Sequence, residues 1–269
     1  MTFERNTLAS DALFEGFGLH SGAAARVEIR PGAEGFGFTY QGQRIAATPE
    51  NVTDTTRCTR LGAISTIEHL MSAFAAMGVT DAEVELNAPE LPALDGASEI
   101  YCRTIQQVGL HRLGDSVVSG PFARVFEKGP SSVVAIAKGS GHWRYVFDTG
   151  ERWPGIQDFE IVLTPDSYVN EIASSRTFAF EEELERVRVA GLGQGLDETT
   201  ALVLGDKSYV NPAKQPDEPA RHKMLDLIGD LYLSGVPPFL LDVVAERSGH
   251  TANVRAAAKL LEAVSISPA

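Results

Sequence analysis

Residues 218–234 read EPARHKMLDLIGDLYLS, and their apolar spacing predicts an α-helix with one buried stripe. The stripe consists of Met224, Ile228, Leu231 and Tyr232. Another face of this helix carries His222, Asp226 and Asp230 at positions i, i+4 and i+8. A histidine and a carboxylate one turn apart can bind one metal ion together. They can also form an ion pair on a solvated face, so the helix alone leaves both interpretations open.

A second helix is predicted at residues 66–77, where apolar side chains again form a stripe and Gly78 follows as a left-handed C-cap. At about 100° per residue, His69 lies almost opposite that stripe and Glu68 lies to one side. The helix therefore presents an imidazole and a carboxylate away from its own core. Glu68 has an alternative role, because residues 65–68 match a capping box in which this side chain bonds back to the helix start.

Both halves of the chain combine predicted strands with helices. In the first half we expect a helix at 98–108 and strands at 24–30, 35–40 and 83–87. In the second half we expect helices at 180–190 and 251–264, and strands at 122–127, 132–137, 143–147 and 159–163. Turn-forming residues cluster near 113–121 and predict a boundary between two domains, 1–116 and 117–269. Two α+β layers facing each other across a cleft follow from this order.

The composition excludes several classes of protein. Of 269 residues, 43% are hydrophobic and 22% are charged, which is typical of a compact globular chain rather than a disordered or fibrous one. The formal charge of -13 disfavours nucleic acid as a partner, because it repels phosphates. Cys58 and Cys102 are too few for a disulfide scaffold and suit a reducing compartment. No apolar run is long enough for a signal peptide or a membrane span, so we expect a cytoplasmic protein.

Two further histidines lie beside glycines at the ends of predicted elements. His250 ends the triplet SGH directly after an apolar run, and the end of a strand is a common catalytic position. His20 lies in residues 16–22, GFGLHSG, where the glycines can bring the backbone close to a ligand. The glycine-rich residues 191–195 match no phosphate-binding motif, so we do not expect a nucleotide-binding loop there.

Six motifs, in order along nearly the whole chain, resemble those of UDP-3-O-acyl-N-acetylglucosamine deacetylase, the family that carries out the committed step of lipid A synthesis. They are GFGLHSG (16–22), STIEHL (65–70), APELPALDG (88–96), SRTF (175–178), RHKMLDLIGDL (221–231) and SGH (248–250). The resemblance implies an α+β, two-domain layered sandwich, in which each domain is a mainly antiparallel sheet packed on helices. The helices of the two domains would face each other, with the active site between the domains.

The resemblance also implies a metal site. Zinc, or alternatively iron(II), would be held by His69, His222 and Asp226, with a fourth position left for water. Glu68 would be the general base that takes a proton from this water. The capping role of Glu68 need not then be its main one.

Further roles follow from the same resemblance. His250, oriented by Asp230, would stabilise the developing oxyanion and protonate the departing amine. Thr177 would donate a hydrogen bond to the tetrahedral intermediate. The residues that would lie against the substrate are Leu19, His20, Phe178 and Lys223. The partner would be a small acylated UDP-sugar, and we expect a monomer without nucleic acid or stable membrane insertion, with at most transient contact with a membrane.

Departures from the family pattern leave the substrate open. The glycine-rich tract before Leu196 is shorter than the family's usual form, and residues 214–216 differ from the common run. The acyl-chain preference is therefore undecided. One alternative is a paralogous zinc deacetylase that acts on another N-acetylated sugar nucleotide or glycolipid. An alternative from a different class is a binding module that retains the metal without turnover.

Overall fold

The computed structural model describes residues 1–120 and 124–269. Pro121 and the first two residues of the strand expected at 122–127 lie outside the described residues.

The helices are α1 (Glu68–Met77), α2 (Glu99–Val108), α3 (Pro165–Glu171), α4 (Leu184–Val189), α5 (Glu218–Tyr232) and α6 (His250–Ala263). Short 3-10 turns occupy Pro49–Asn51, Glu181–Glu183 and Pro238–Leu240. The strands are β1 (Thr2–Leu8), β2 (Ala12–Phe17), β3 (Ala24–Pro31), β4 (Phe36–Tyr40), β5 (Gln43–Ala46), β6 (Val52–Asp54), β7 (Arg60–Leu61), β8 (Ala82–Leu86), β9 (Leu110–Ser119), β10 (Arg124–Lys128), β11 (Val133–Lys138), β12 (His142–Asp148), β13 (Ile156–Val162), β14 (Thr177–Phe180), β15 (Ala201–Leu204), β16 (Leu241–Glu246) and β17 (Ser265–Pro268).

The first half builds a five-stranded sheet in the order β2-β3-β8-β4-β5. Neighbouring strands are antiparallel except for the parallel pair β8 and β4. Phe74 of α1 stacks on Phe36 of β4 with 5.0 Å between ring centroids, and Tyr101 of α2 meets Phe14 of β2 edge-on at 4.9 Å. These aromatic contacts fix both helices on the inner face of the sheet.

The second half repeats this strand order as β10-β11-β16-β12-β13, with β16 and β12 as its parallel pair. The alternation along β12 buries Trp143 and Tyr145 on the face that α5 covers. α6 packs on β10 and β11 of the same sheet. Each half is therefore one sheet covered by helices on one face.

A third sheet has the order β1-β9-β17, and its central strand β9 lies in the region of the expected domain boundary. The turn-forming residues near 113–121 lie largely within β9, whose pairing with β1 skips Leu113 as the extra residue of a β-bulge. Gly114 beside it has a φ of 139°. The cluster thus marks an irregular strand rather than a loop. The boundary expected between residues 116 and 117 falls inside β9 and stays a prediction.

The helices lie between the two five-stranded sheets, and α1 packs along α5 at the centre of the molecule. The α+β layered sandwich expected from the sequence is confirmed. No helix within residues 1–120 and 124–269 is long and apolar enough to cross a membrane.

Candidate active site

The candidate site lies where the first turn of α1 meets the polar face of α5. Gly229 of α5 lies so close to α1 that a Cβ atom on it would be 2.1 Å from the carbonyl oxygen of Glu68. A side chain at this position would force the two helices apart. The close approach brings Glu68 and His69 next to the α5 side chains that the sequence had placed on one helix face.

Three side-chain atoms converge at this contact as potential metal ligands. The Nε2 atoms of His69 and His222 lie 3.6 and 3.5 Å from Oδ1 of Asp226, close to the spacing of about 3.3 Å between ligands of a tetrahedral zinc ion. All three side chains are buried, and Oδ1 of Asp226 has no hydrogen-bond partner among the described residues. Nδ1 of His222 lies 3.1 Å from the carbonyl oxygen of Ser175, which leaves Nε2 free to bind a metal. The residues present therefore fit a single metal ion.

Glu68 lies beside this cluster as a buried carboxylate. Its Oε2 accepts a hydrogen bond of 3.0 Å from the backbone N–H of Thr59, and burial raises the pKa of its carboxyl group. α1 begins at Glu68, so Ile67 is its N-cap residue. Among the described residues, no side-chain hydrogen bond caps the helix at this position. The capping box considered for residues 65–68 is therefore not formed, and the carboxylate of Glu68 is directed to the interior between α1 and α5.

His250, the first residue of α6, pairs with a buried carboxylate on α5. Its Nδ1 lies 2.9 Å from Oδ2 of Asp230, and Nδ2 of Asn253 donates to the same oxygen at 3.0 Å. Burial opposes the charge of His250, but Asp230 and Asp226 outweigh burial and raise its pKa to about 9. At His222, burial dominates and lowers the pKa to about 4. The surroundings thus favour the cationic form of His250 and the neutral form of His222, in which an imidazole can bind a metal ion.

A further group of side chains comes from the segment before α5 and from α5 itself. Thr177 and Phe178 lie in β14, and the ring of Phe178 meets the ring of His222 edge-on at 5.9 Å. Lys223 donates from Nζ to Oδ2 of Asp226 at 2.8 Å, and its Nζ lies 5.5 Å from the centroid of the Phe178 ring. These residues form the wall of the site on the side of the second half.

A cavity of about 220 Å³ opens onto the cluster. Its lining includes every residue predicted for the site except Asp230, which lies behind His250. Leu19 and His20 reach it from the loop after β2, and neither ring nitrogen of His20 has a partner among the described residues. The cavity is also lined by Arg57, Ala179, Phe180 and Glu183. Residues from six separate regions of the chain therefore meet at one cavity.

Comparison with known proteins assigns the chain to a family. The model of the UDP-3-O-acyl N-acetylglycosamine deacetylase family matches residues 5–262. The chain belongs to this family. A relative from Syntrophus aciditrophicus (strain SB), named UDP-3-O-acyl-N-acetylglucosamine deacetylase, is 35% identical over 97% of this chain and 87% of its own length. The resemblance read from the six motifs is confirmed, and so is the assignment to an enzyme class.

Two further relatives carry the same name. One from Neisseria meningitidis serogroup C / serotype 2a is 34% identical over 93% of this chain and 87% of its own length. One from Chlamydia muridarum (strain MoPn / Nigg) is 34% identical over 97% of this chain and 96% of its own length. The similarity therefore extends over both five-stranded sheets of the fold.

Sequence reasoning missed a residue that supports the loop carrying His20. Glu90 is buried and accepts hydrogen bonds from the backbone N–H groups of His20 and Ser21, at 2.6 and 2.9 Å, and from the Ser21 hydroxyl at 2.5 Å. A Cβ atom on Gly18 would lie 2.3 Å from the Glu90 carboxylate, so the loop needs glycine there. Glu90 lies within the motif at 88–96, but its supporting role depends on contacts with the loop that carries His20, which is distant in sequence.

A buried ion pair supports the second-half wall and was also missed. Nε of Arg176 donates to Oε1 of Glu218 at 2.8 Å, and Nη2 of Arg176 donates to the carbonyl oxygen of Pro212 at 2.7 Å. Arg176 lies between Ser175, which faces His222, and Thr177 of the cavity. The pair therefore ties this wall of the deacetylase-family site to the start of α5.

The glycine-rich residues 191–195 pack against the loop that carries Leu19 and His20. The backbone N–H of Gln194 donates to the His20 carbonyl at 3.1 Å, and that of Gly195 donates to the Leu19 carbonyl at 3.2 Å. A Cβ atom on Gly195 would lie 2.1 Å from the Gly18 carbonyl oxygen. This tract supports one side of the cavity through its backbone.

Proposed function

We propose that this member of the family hydrolyses the N-acetyl amide of UDP-3-O-acyl-N-acetylglucosamine to acetate and the free 2-amine, the committed step of lipid A synthesis. The observation that carries the proposal is the convergence of His69, His222 and Asp226 with Glu68 and His250 on one cavity. The names of the relatives support the same substrate.

We propose zinc as the bound metal, with iron(II) as the alternative. Two imidazoles and one carboxylate form a donor set that leaves a fourth position open, which is typical of catalytic zinc. Iron(II) also accepts this donor set. The chemistry that the bound ion supplies is polarisation of the acetyl carbonyl and a lower pKa for water.

Glu68 takes the proton from the attacking water in this proposal. Because Oε2 is held by the backbone N–H of Thr59, Oε1 is the oxygen available to the cavity. Burial raises the pKa of Glu68 and so makes its carboxylate a stronger proton acceptor.

His250 completes the proton transfers. Its Nδ1 is bonded to Asp230, and its Nε2 lies 4.0 Å from Oδ2 of Asp226, on the side of the ligand cluster. A cationic Nε2–H there stabilises negative charge on the former acetyl oxygen and then donates a proton to the departing amine. Thr177 lines the same cavity and donates a hydrogen bond to the charged oxygen.

The remaining cavity residues contact the substrate. Lys223 offers a cation beside the apolar ring of Phe178, and this pairing suits a sugar nucleotide with polar and apolar parts. Leu19 and the ring of His20 close the cavity from the first half. We further propose that the chain works as a cytoplasmic monomer with at most transient membrane contact, and that its domains are residues 1–116 and 117–269.

The test is acetate release from UDP-3-O-acyl-N-acetylglucosamine by the purified protein, with metal content measured on the same sample. We expect release that stops after chelation and returns when zinc or iron(II) is added back. A folded, metal-loaded sample that releases no acetate would overturn the proposal. A panel of acyl-chain lengths and other N-acetylated sugar nucleotides would then separate a paralogous deacetylase from a binding module.

A further inference from the structure

A residue outside the predicted site contacts both Glu68 and Asp230, the carboxylate that pairs with His250. Thr59 lies just before β7, in the hairpin that precedes α1, and its side chain is fully buried. Its backbone N–H donates to Oε2 of Glu68 at 3.0 Å. Its hydroxyl donates to Oδ1 of Asp230 at 2.5 Å. One residue of the first half therefore connects the general base with the carboxylate behind His250.

The Asp230 carboxylate needs this hydroxyl because it is completely buried. Its Oδ2 accepts from Nδ1 of His250 and from Nδ2 of Asn253, whereas Oδ1 accepts from Thr59. Three donors on two oxygens fix the plane of the carboxylate. Loss of the hydroxyl would leave Oδ1 without a donor in the interior, and the carboxylate could then rotate to satisfy it.

We propose that Thr59 is a positioning residue, whose hydroxyl fixes Asp230 and thereby the His250 ring, while its backbone N–H fixes Glu68. This inference rests on the proposed function for its effect on turnover, and on the contacts of Thr59 for its effect on His250. Thr59 in this way helps to fix the distance between the proton acceptor Glu68 on α1 and the proton donor His250 on α6. Thr59 itself does not touch the substrate.

The hydroxyl contact of Thr59 can be tested without loss of the other contact, because the first uses the side chain and the second the backbone. Thr59→Val removes the hydroxyl and keeps the shape and the N–H, whereas Thr59→Ser keeps the hydroxyl. We expect Thr59→Val to lower kcat by about tenfold or more, as for other residues that orient a catalytic group, with KM and metal content unchanged. Thr59→Ser should stay close to the wild type.

A double substitution asks whether Thr59 acts through His250. In the His250→Ala background, Thr59→Val should cause little further loss of kcat, because the group that it positions is already absent. The matched control is Thr53→Val, which removes an exposed hydroxyl that donates to the carbonyl oxygen of Gly62 in the same hairpin. An equal loss of kcat in both backgrounds, or a failure of Thr59→Ser to preserve kcat, would refute the positioning role.

A second measurement does not depend on turnover. The Nδ1–H resonance of His250, assigned by its loss in His250→Ala, should be sharp in the wild type and in Thr59→Ser. In Thr59→Val it should broaden through faster exchange with water. Thr59→Ala carries the same expectation and replaces Thr59→Val if that variant does not fold. An unchanged resonance in a folded variant without the hydroxyl sinks the inference, whereas absence of acetate release by the wild type bears only on the proposed function.

Discussion

α1 and α5 hold equivalent places in the two halves of the molecule, because each leads into the strand that is inserted in the middle of its sheet. Their contributions to the site differ. α1 supplies Glu68 and His69 from its first turn only, and every residue of this helix is buried. α5 supplies side chains over more than two turns, at His222, Asp226 and Asp230.

The segments that precede these two helices also differ in length and in what they contribute to the site. In the first half, the short β6–β7 hairpin leads to α1 and places Thr59 under the site. In the second half, a longer segment from α3 to β15 leads to α5 and places Thr177 and Phe178 in the cavity wall. The same sheet-and-helix architecture thus carries a supporting hairpin in one half and a segment that lines the cavity in the other. Neither half holds the three potential metal ligands alone.

Removal of a proposed metal ligand from α5 should have the largest effect on turnover. His222→Ala leaves one ligand from each half, so we expect loss of metal and of acetate release in a protein that stays folded through its intact apolar stripe. Metal analysis, acetate release and circular dichroism check this expectation. His142→Ala, at an exposed position in β12, is the matched control. Full activity of His222→Ala would remove the metal site from the mechanism.

Removal of the proposed base from α1 should have the next largest effect. Glu68→Gln keeps the three ligands and the contact with Thr59, so metal content should stay at the wild-type level. Turnover should fall by about a hundredfold or more, because the proton acceptor is lost. Glu85→Gln, an exposed change in β8, controls for charge. Near-normal kcat in Glu68→Gln would reassign this carboxylate to a structural role.

Separation of the two helices should have a smaller effect on turnover. In Gly229→Ala, the new methyl group overlaps the Glu68 carbonyl oxygen and pushes α1 away from α5. We expect the free energy of unfolding to fall by about 2 kcal/mol, as for other overpacked cores. Metal affinity should fall as well, because His69 and Asp226 lie on opposite sides of the displaced contact. Denaturant unfolding measures the stability and metal titration measures the affinity. If neither changes in Gly229→Ala, the contact between α1 and α5 can accommodate a methyl group without cost.

The smallest effect on turnover is expected from the ion pair that anchors the longer segment of the second half. Burial opposes the charge of Glu218, but Arg176 and two backbone N–H donors outweigh it and lower the pKa of this carboxyl. The pair therefore contributes stability above the ordinary pKa of about 4.5, and this contribution is lost as the pH falls toward the lower folded value.

Glu218→Gln tests this contribution. The variant should be less stable than the wild type at neutral pH by about 2 kcal/mol, the order of a lost charged hydrogen bond. The difference should shrink as the pH is lowered below about 4.5. Urea unfolding at several pH values measures it. A difference that does not change with pH would mean that the Glu218 charge contributes nothing.

Local sequence patterns predicted most of the helices well. They were less reliable where the same pattern is compatible with more than one local structure. The apolar spacing of residues 218–234 predicts α5 to within two residues of its end. Most of the turn residues near 113–121, which predicted a domain boundary, belong to the bulged strand β9, and that boundary stays a prediction. The capping-box pattern before α1 was satisfied in sequence but not in structure, because Thr66 has a φ of 65° and turns the chain there. α3 was missed although Thr164 and Ser167 form a capping box.

The sequence by itself determined the chemistry of the site: two histidines and three carboxylates at helical spacings, a histidine at the start of α6, and six motifs that identify the family. These features depend on neighbours within one turn or one motif, where backbone geometry sets the spacing. Only the tertiary structure decided which atoms meet. Gly229 lets α1 approach α5, and Thr59, which contacts Glu68, bonds to Asp230 across 171 positions of sequence. Contacts of that range depend on how the two layers pack, and no local pattern encodes them.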